Sequence, residues 1–261
     1  MNVLRMICMA FSTYSRIPMP QVKWEKKNAD YVICFYPLVG LVVGAAEAAL
    51  LLLYQSMGFS GTVLALLAIA IPILISGGIH LDGLIDTADA RHSYLPKEEK
   101  LRILKDPHVG AFGVIRLVLY LLLMLAGLLL LAEQVSKRAE ELLAYALVIP
   151  FWSRVLCAVT AVWFPKARKD GMLQAVTGGK PIAQMILLGV WAVLGLTVLL
   201  WLIPAGVQWI RIPVWILADL LLLLWYRRMA VREFGGVSGD LAGWLLCMLE
   251  LVAVGILLPA F

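Results

Sequence analysis

Long runs of apolar residues constrain this chain more than any other feature. Hydrophobic residues make up 62% of its 261 positions, against roughly 45–50% in a soluble domain. A bilayer core takes about 20 apolar residues per helix, and seven segments approach or reach that length. They are residues 31–54, 61–81, 110–132, 142–164, 182–204, 213–226 and 241–260. Because spanning helices satisfy their own backbone hydrogen bonds in lipid, we predict an all-α, polytopic integral membrane bundle of about six to seven transmembrane helices.

The first 30 residues precede these runs and differ from them. The stretch 1–14 is apolar but too short to span, and Arg5 interrupts it. We therefore expect residues 1–30 to form an interfacial or re-entrant segment. Since no internal repeat or low-complexity linker divides the sequence, the simplest organisation is one membrane-embedded domain over 1–261.

Basic residues are distributed unevenly between the predicted loops. Of the 22 lysines and arginines, 17 lie before the first run or in the loops after the second, fourth and sixth, whereas three lie in the opposite loops. The positive-inside rule then places the N-terminus and the basic loops in the cytoplasm, at a cell membrane. With seven spans the C-terminus lies outside, but only if the short run 213–226 crosses the membrane.

Three aspartates follow the second apolar run, in the stretch GGIHLDGLIDTADA at residues 77–90. Asp82, Asp86 and Asp89 are spaced by four and three positions, so a helix carries them on one face. Three carboxylates there repel each other, and a divalent cation relieves the repulsion; Mg²⁺ prefers such oxygen ligands. We predict that these three aspartates are metal ligands and catalytic residues. The alternative is a helix end that has simply reached water.

Two more aspartates fall in basic loops on the same predicted side, each beside glycines. Asp106 and Asp240 are therefore candidates for further metal ligands. Glycines let a backbone approach a ligand closely, and a following helix offers free N–H groups to anions. The candidate substrate-binding residues in these loops are Asp106, Gly110, Gly113, Gly235, Gly236, Ser238 and Gly239. The alternative for both loops is an ordinary turn with a helix cap, at Ser238 or Asp240 in the second.

Two further features leave alternatives open. Gly77 and Gly78, directly before the aspartates, permit either close packing against another helix or a kink. Arg154 lies inside an apolar run, where it either binds substrate phosphate or pairs with a buried acid such as Glu250 or Asp219.

Taken together, the motifs resemble one family, cobalamin synthase, or adenosylcobinamide-GDP ribazoletransferase. The resemblance runs in order through STYSRIPMP, FYPLVG, GGIHLDGLIDTADA, LKDPHVGAFG, the pair Ser153–Arg154, and GGVSGD with Glu250 downstream. The aspartate segment is the most specific of these motifs. The chain departs from the family pattern at Ser238, where threonine is usual, and at Ala90, where glycine is usual.

This resemblance implies a Mg²⁺-dependent membrane phosphotransferase of late cobalamin biosynthesis. Adenosylcobinamide-GDP would react with α-ribazole, or its 5′-phosphate, to give adenosylcobalamin, or its phosphate, and GMP. The implied partners are these small molecules and the lipid bilayer, with no nucleic acid. Two other classes stay open: a CDP-alcohol phosphotransferase-like lipid synthase, and an ion-coupled transporter with Asp219, Glu250 and Arg116 as a relay.

Overall fold

A computed structural model of the chain describes residues 2–168, 171–203 and 210–258 and is helical throughout its regular elements. The helices are α1 (Val3–Tyr14), α2 (Lys26–Ala29), α3 (Tyr36–Met57), α4 (Gly61–Ser76), α5 (Ile79–His92), α6 (Lys97–Ile103), α7 (Ala111–Ala132), α8 (Val135–Trp163), α9 (Met172–Val176), α10 (Pro181–Leu202), α11 (Arg211–Phe234) and α12 (Gly239–Leu257). A 3₁₀ turn at Val32–Phe35 leads into α3. The all-α prediction is confirmed.

Five helical segments are long and apolar enough to cross a membrane. They are Val32–Met57, Ala111–Ala132, Val135–Trp163, Pro181–Leu202 and Gly239–Leu257, and α4 with α5 makes a sixth if the bent pair counts as one span. The run 213–226 lies in α11, which has 24 residues but carries charged side chains near both ends and is not among the candidates. The count is therefore five to six, and the side of the C-terminus, which depended on α11, stays a prediction.

The second predicted span, 61–81, is not continuous. α4 ends at Ser76, and α5 begins at Ile79 and runs at 92° to it. Gly77 and Gly78 between them have φ values of 69° and 81°, a left-handed conformation that favours glycine. The two glycines thus form a kink, and the three aspartates lie on a separate helix that turns away from α4.

α5 and α12 pack against each other through glycines on both helices. A Cβ added to Gly83 of α5 would lie 2.5 Å from the carbonyl oxygen of Asp240, and one on Gly243 of α12 would lie 3.2 Å from the Cα of His80. Since neither glycine has a side chain, the two backbones come into direct contact. This contact brings Asp240 next to the aspartate helix.

α3 and α8 form another close pair in the interior. A Cβ on Gly40 of α3 would lie 2.6 Å from Cδ of Arg154 on α8. Arg154 is fully buried, and its Nη1 donates to Oε1 of Glu250 on α12 at 2.9 Å. The ion pair therefore joins α8 to α12 beside the close approach of α3 to α8 at Gly40.

The N-terminal segment packs onto the same end of the bundle as α5. α1 has 12 residues, too few to span, and buries Met6, Met9 and Phe11. The ring of Tyr14 at its end lies 4.3 Å from that of Tyr36, centroid to centroid. α1 thus covers the beginning of α3, while the predicted interfacial location of residues 1–30 stays a prediction.

The α5–α12 contact can be tested with two glycine variants. Gly83→Ala should destabilise the detergent-solubilised protein by about 1–3 kcal/mol, because the added methyl meets the backbone of α12. Gly189→Ala in α10 is the matched control, since nothing lies within 4 Å of the methyl it adds. Thermal unfolding would contradict the packing if Gly83→Ala were as stable as Gly189→Ala.

Candidate functional site

A cavity of about 330 Å³ lies where α5 meets the beginning of α12. Its walls come from α1, the 3₁₀ turn, α3, α5, α8, α9 and α12. Asp82 and Asp240 both line it, one from each side of the glycine contact. Two aspartates that are far apart in sequence therefore share one small chamber.

The aspartates of α5 and α12 form a group of mutually repelling charges. Asp82, Asp89 and Asp240 are the carboxylates that act electrostatically on Asp86. Among the described residues, none of these four carboxylates lies within ion-pair distance of a lysine, arginine or histidine. Arg168, in the loop after α8, interacts with Asp240 at longer range. The group thus has an unbalanced negative charge.

Asp89 differs from the other members because both its oxygens accept backbone hydrogen bonds. Gly110 N donates to Oδ2 and Gly113 N donates to Oδ1, each at 2.8 Å. These N–H groups lie at the beginning of α7, where a negative charge is favourable. In this structure the carboxylate of Asp89 therefore occupies the position in which the sequence predicted a substrate phosphate on Gly110 and Gly113.

Asp106 lies on an exposed turn before α7 and is not among the carboxylates that act on Asp86. Its Oδ1 accepts from the backbone N of His108 at 2.9 Å and contacts His108 Nδ1 at 2.7 Å. The backbone hydrogen bond, together with the side-chain contact, lowers the pKa of Asp106. The structure gives this side chain a local partner outside the aspartate group.

The glycine loop before α12 is held mainly by its own backbone. Gly235 ends α11 with φ of 81°, and Val237 N donates to Pro165 O at 2.7 Å. Gly236 packs directly on the backbone of the loop after α8. Ser238 caps α12 by accepting from Leu241 N at 3.3 Å, so the N-cap alternative holds for it. Gly239 alone among the predicted glycines of this loop lines the cavity.

Arg154 does not line this cavity. It borders a second one, of about 150 Å³, which also contains Glu47, Glu250 and many apolar side chains. Its guanidinium pairs with Glu250, and its Nε and Nη2 have no partner among the described residues. The structure thus shows the ion pair, one of the two alternatives that the sequence left open.

Two contacts that position α5 could not be predicted from the sequence. His80 Nε2 and the hydroxyl of Tyr36 are 2.6 Å apart, so a hydrogen bond joins the first turn of α5 to α3. At the other end of α5, Arg91 pairs with Glu233 of α11 at 3.2 Å. Lys100 of α6 pairs with the same carboxylate at 2.9 Å. Partial burial raises the pKa of Glu233, but these cations outweigh burial and lower it overall. Spacing carried no signal for either contact, because the partners are distant in the chain.

The four aspartates, here called the acidic group, supply carboxylate oxygens, which suit Mg²⁺. They do not form a complete coordination site by themselves. No three described His, Cys, Asp or Glu side chains already stand in a metal-binding arrangement. Mg²⁺ commonly takes one or two carboxylates and completes its shell with water and substrate phosphates. The residues are therefore compatible with a metal that is bound together with a phosphorylated substrate.

Comparison with known proteins gives a consistent result over nearly the whole chain. The model of the cobalamin-5-phosphate synthase family matches residues 6–258. An adenosylcobinamide-GDP ribazoletransferase of Lachnoclostridium phytofermentans is 37% identical over 257 residues, covering 97% of this chain and 93% of the relative. One of Desulfitobacterium hafniense is 36% identical, with 100% and 98% covered. No solved structure gives a significant match to the chain.

The cap at Asp89 can be separated from metal binding by measuring stability in EDTA. Asp89→Ala should lower the free energy of unfolding by about 0.5–2 kcal/mol, and Asp89→Asn by less, because α7 loses its capping carboxylate. Asp82→Asn is the comparison, since it removes a repelling charge and should leave stability equal or higher. If Asp89→Asn stabilised the protein in EDTA as Asp82→Asn does, the capping role would be wrong.

Proposed function

Because this chain belongs to the cobalamin-5-phosphate synthase family and is an adenosylcobinamide-GDP ribazoletransferase, we propose that its acidic group binds Mg²⁺ for that transfer. The enzyme moves the adenosylcobinamide-phosphate group from adenosylcobinamide-GDP to α-ribazole and releases GMP. We assign Asp82, Asp86 and Asp240 as the metal ligands. Asp89 completes the group and fixes the beginning of α7.

One observation carries this proposal: Asp82, Asp89 and Asp240 act electrostatically on Asp86, and none of the four carboxylates has a paired cation among the described residues. Like charges in a partly buried site are costly unless a bound cation offsets them. A diphosphate substrate adds negative charge to the same place, so a divalent cation is needed even more once the substrate binds. Mg²⁺, when bound, would be held by Asp82, Asp86 and Asp240 and would supply positive charge that offsets the charge on the diphosphate and on the departing GMP.

The chain's own residues bind and orient the reacting groups. The ribazole hydroxyl oxygen forms a bond to the phosphorus next to the cobinamide, the bond from that phosphorus to the GMP oxygen breaks, and the hydroxyl proton leaves. Asp82 and Asp240 line the cavity, so a carboxylate oxygen of one of them that does not contact the metal is placed to accept that proton. Arg168 lies near Asp240 and is suited to hold a phosphate oxygen. Catalysis rests on positioning and charge compensation.

The site is proposed to face the cytoplasm, at the cell membrane. The 17-to-3 distribution of basic residues supports this orientation. Nucleotide substrates are also found on that side. The chain is a multi-span membrane protein, and with this orientation the corrinoid substrate reaches the site from the cytoplasmic surface.

The metal-ligand role predicts a large loss of turnover in two single variants. Asp82→Asn and Asp86→Asn should each lower GMP release at saturating Mg²⁺ by about 100-fold or more, because a lost charge contact at the transferring phosphate raises the barrier by several kcal/mol. Glu98→Gln, at an exposed carboxylate on α6, is the control and should keep full activity. Turnover within about threefold of the parent in folded Asp82→Asn and Asp86→Asn protein would reject the assignment.

Metal removal gives a separate test and also distinguishes the other classes. EDTA should abolish GMP release from adenosylcobinamide-GDP and α-ribazole in detergent, and added Mg²⁺ should restore it. A transporter would need a gradient, and a lipid synthase would prefer a CDP-alcohol over adenosylcobinamide-GDP. Full turnover in EDTA would contradict the metal proposal while leaving the transferase activity intact.

A further inference from the structure

We propose that the 330 Å³ cavity beside Asp82 and Asp240 is the binding site for α-ribazole, and that its apolar wall receives the benzimidazole base. The inference rests on the proposed function, since it concerns the acceptor of the same reaction. The substrates have three large parts, which are the corrinoid, the guanine nucleotide and ribazole. The inference places ribazole in this cavity, called the chamber below.

The size of the cavity favours a nucleoside. Sites for small molecules commonly have about 300–1,000 Å³, and this one lies at the lower end. A corrin macrocycle with its side chains is much larger, so it has to remain outside. The volume of a riboside with a bicyclic base is of the same order as that of the cavity.

Apart from the two carboxylates, the lining of the cavity is largely apolar and aromatic. Its apolar side chains are Ile33, Ile79, Ala161, Met172, Leu173 and Ala242. The rings of Tyr14 and Tyr36 lie side by side at 4.3 Å with an interplanar angle of 41°. A fused aromatic base gains from both kinds of surface.

Apart from the hydroxyl of Tyr14, the neutral polar side chains that line the cavity already have partners. Thr13 Oγ1 donates to Met9 O at 2.7 Å, and Tyr36 hydrogen-bonds His80 at 2.6 Å. The thiol of Cys157 contacts Ala242 O at 3.6 Å. What remains for a ligand on this side is chiefly apolar surface.

The low polarity of the lining distinguishes between the two bases of the reaction, guanine and benzimidazole. Guanine has an edge of donors and acceptors that loses binding energy unless it is paired. Once Asp82 and Asp240 are engaged by the metal, the lining offers guanine the hydroxyl of Tyr14 but, among the described residues, no asparagine, glutamine, arginine or lysine. Benzimidazole has a benzene edge without polar atoms, so it loses nothing against such a wall. The chamber therefore fits ribazole better than it fits GMP.

The position of the carboxylates then places the reacting end of the ligand. With the base against the apolar wall, the ribose points toward Asp82 and Asp240, which line the same chamber. The attacking hydroxyl consequently lies next to the proposed metal ligands. The corrinoid diphosphate reaches the metal from outside the chamber.

Met172 is the best residue at which to test this site. It lines the cavity, and it is 60% exposed on the short helix α9, so its substitution does not disturb a buried core. Gln174 on the same helix is half-buried and does not line the cavity. Met172→Trp and Gln174→Trp therefore form a matched pair that differs in access to the chamber.

Met172→Trp should raise the KM for α-ribazole by about tenfold, because the larger side chain overfills the chamber. The KM for adenosylcobinamide-GDP and the inhibition constant of the product GMP should change by less than about twofold, since their binding sites lie outside the chamber. Gln174→Trp should alter neither of the two KM values nor the inhibition constant of GMP. Ala161→Leu, at another apolar position of the lining on α8, should reproduce the selective rise in the KM for α-ribazole.

The outcomes separate this proposal from the previous one. If Met172→Trp raised the inhibition constant of GMP or the KM for adenosylcobinamide-GDP and left that for α-ribazole unchanged, the chamber would hold the nucleotide donor instead. If Met172→Trp and Ala161→Leu altered no constant, the chamber would hold neither substrate. If the parent protein released no GMP at all, the proposed function itself would fail.

Discussion

The direct backbone contact between α5 and α12 is the interaction on which the rest of the site depends. Gly83 and Gly243 let the two helices approach until Asp240 lies beside the aspartate helix. Packing here has to offset the repulsion between like charges, which weakens the contact whenever no cation is bound. The hydrogen bond between Tyr36 and His80 and the Glu233 ion pairs hold α5 at its two ends. The site is thus held rigid around a charge imbalance.

The sequence predicted the parts of this architecture that depend on local patterns. Long apolar runs identified the helices α3, α7, α10 and α12 to within a few residues, because a span has to hide its backbone from lipid. Helical spacing put Asp82, Asp86 and Asp89 on one helix. The capping role of Ser238 was one of two local alternatives, and its hydrogen bond to Leu241 shows that it holds.

What the sequence could not supply depends on tertiary contacts. The glycine pair before α5 was compatible with packing or with a kink, and only the turn of 92° distinguishes them. The partners of Asp89 are more than 20 positions away in the chain, so no spacing rule connects them. Arg154 likewise had two possible partners, and its pairing with Glu250 follows from the approach of α8 to α12. The sequence shows which residues are charged, but it does not show which charged residues lie next to each other in the fold.

The bend after α4 has a consequence for the depth of the reaction. α4 has 16 residues, which is about 24 Å of helix at 1.5 Å per residue, whereas a hydrocarbon core is about 30 Å thick. If α4 crosses most of the core along the membrane normal, the 92° turn would leave α5 running along the membrane near the hydrocarbon boundary. The height of the aspartates relative to lipid would then be set by the length of α4, and hydrophobic mismatch with thinner or thicker bilayers would change how water-soluble nucleotides reach them.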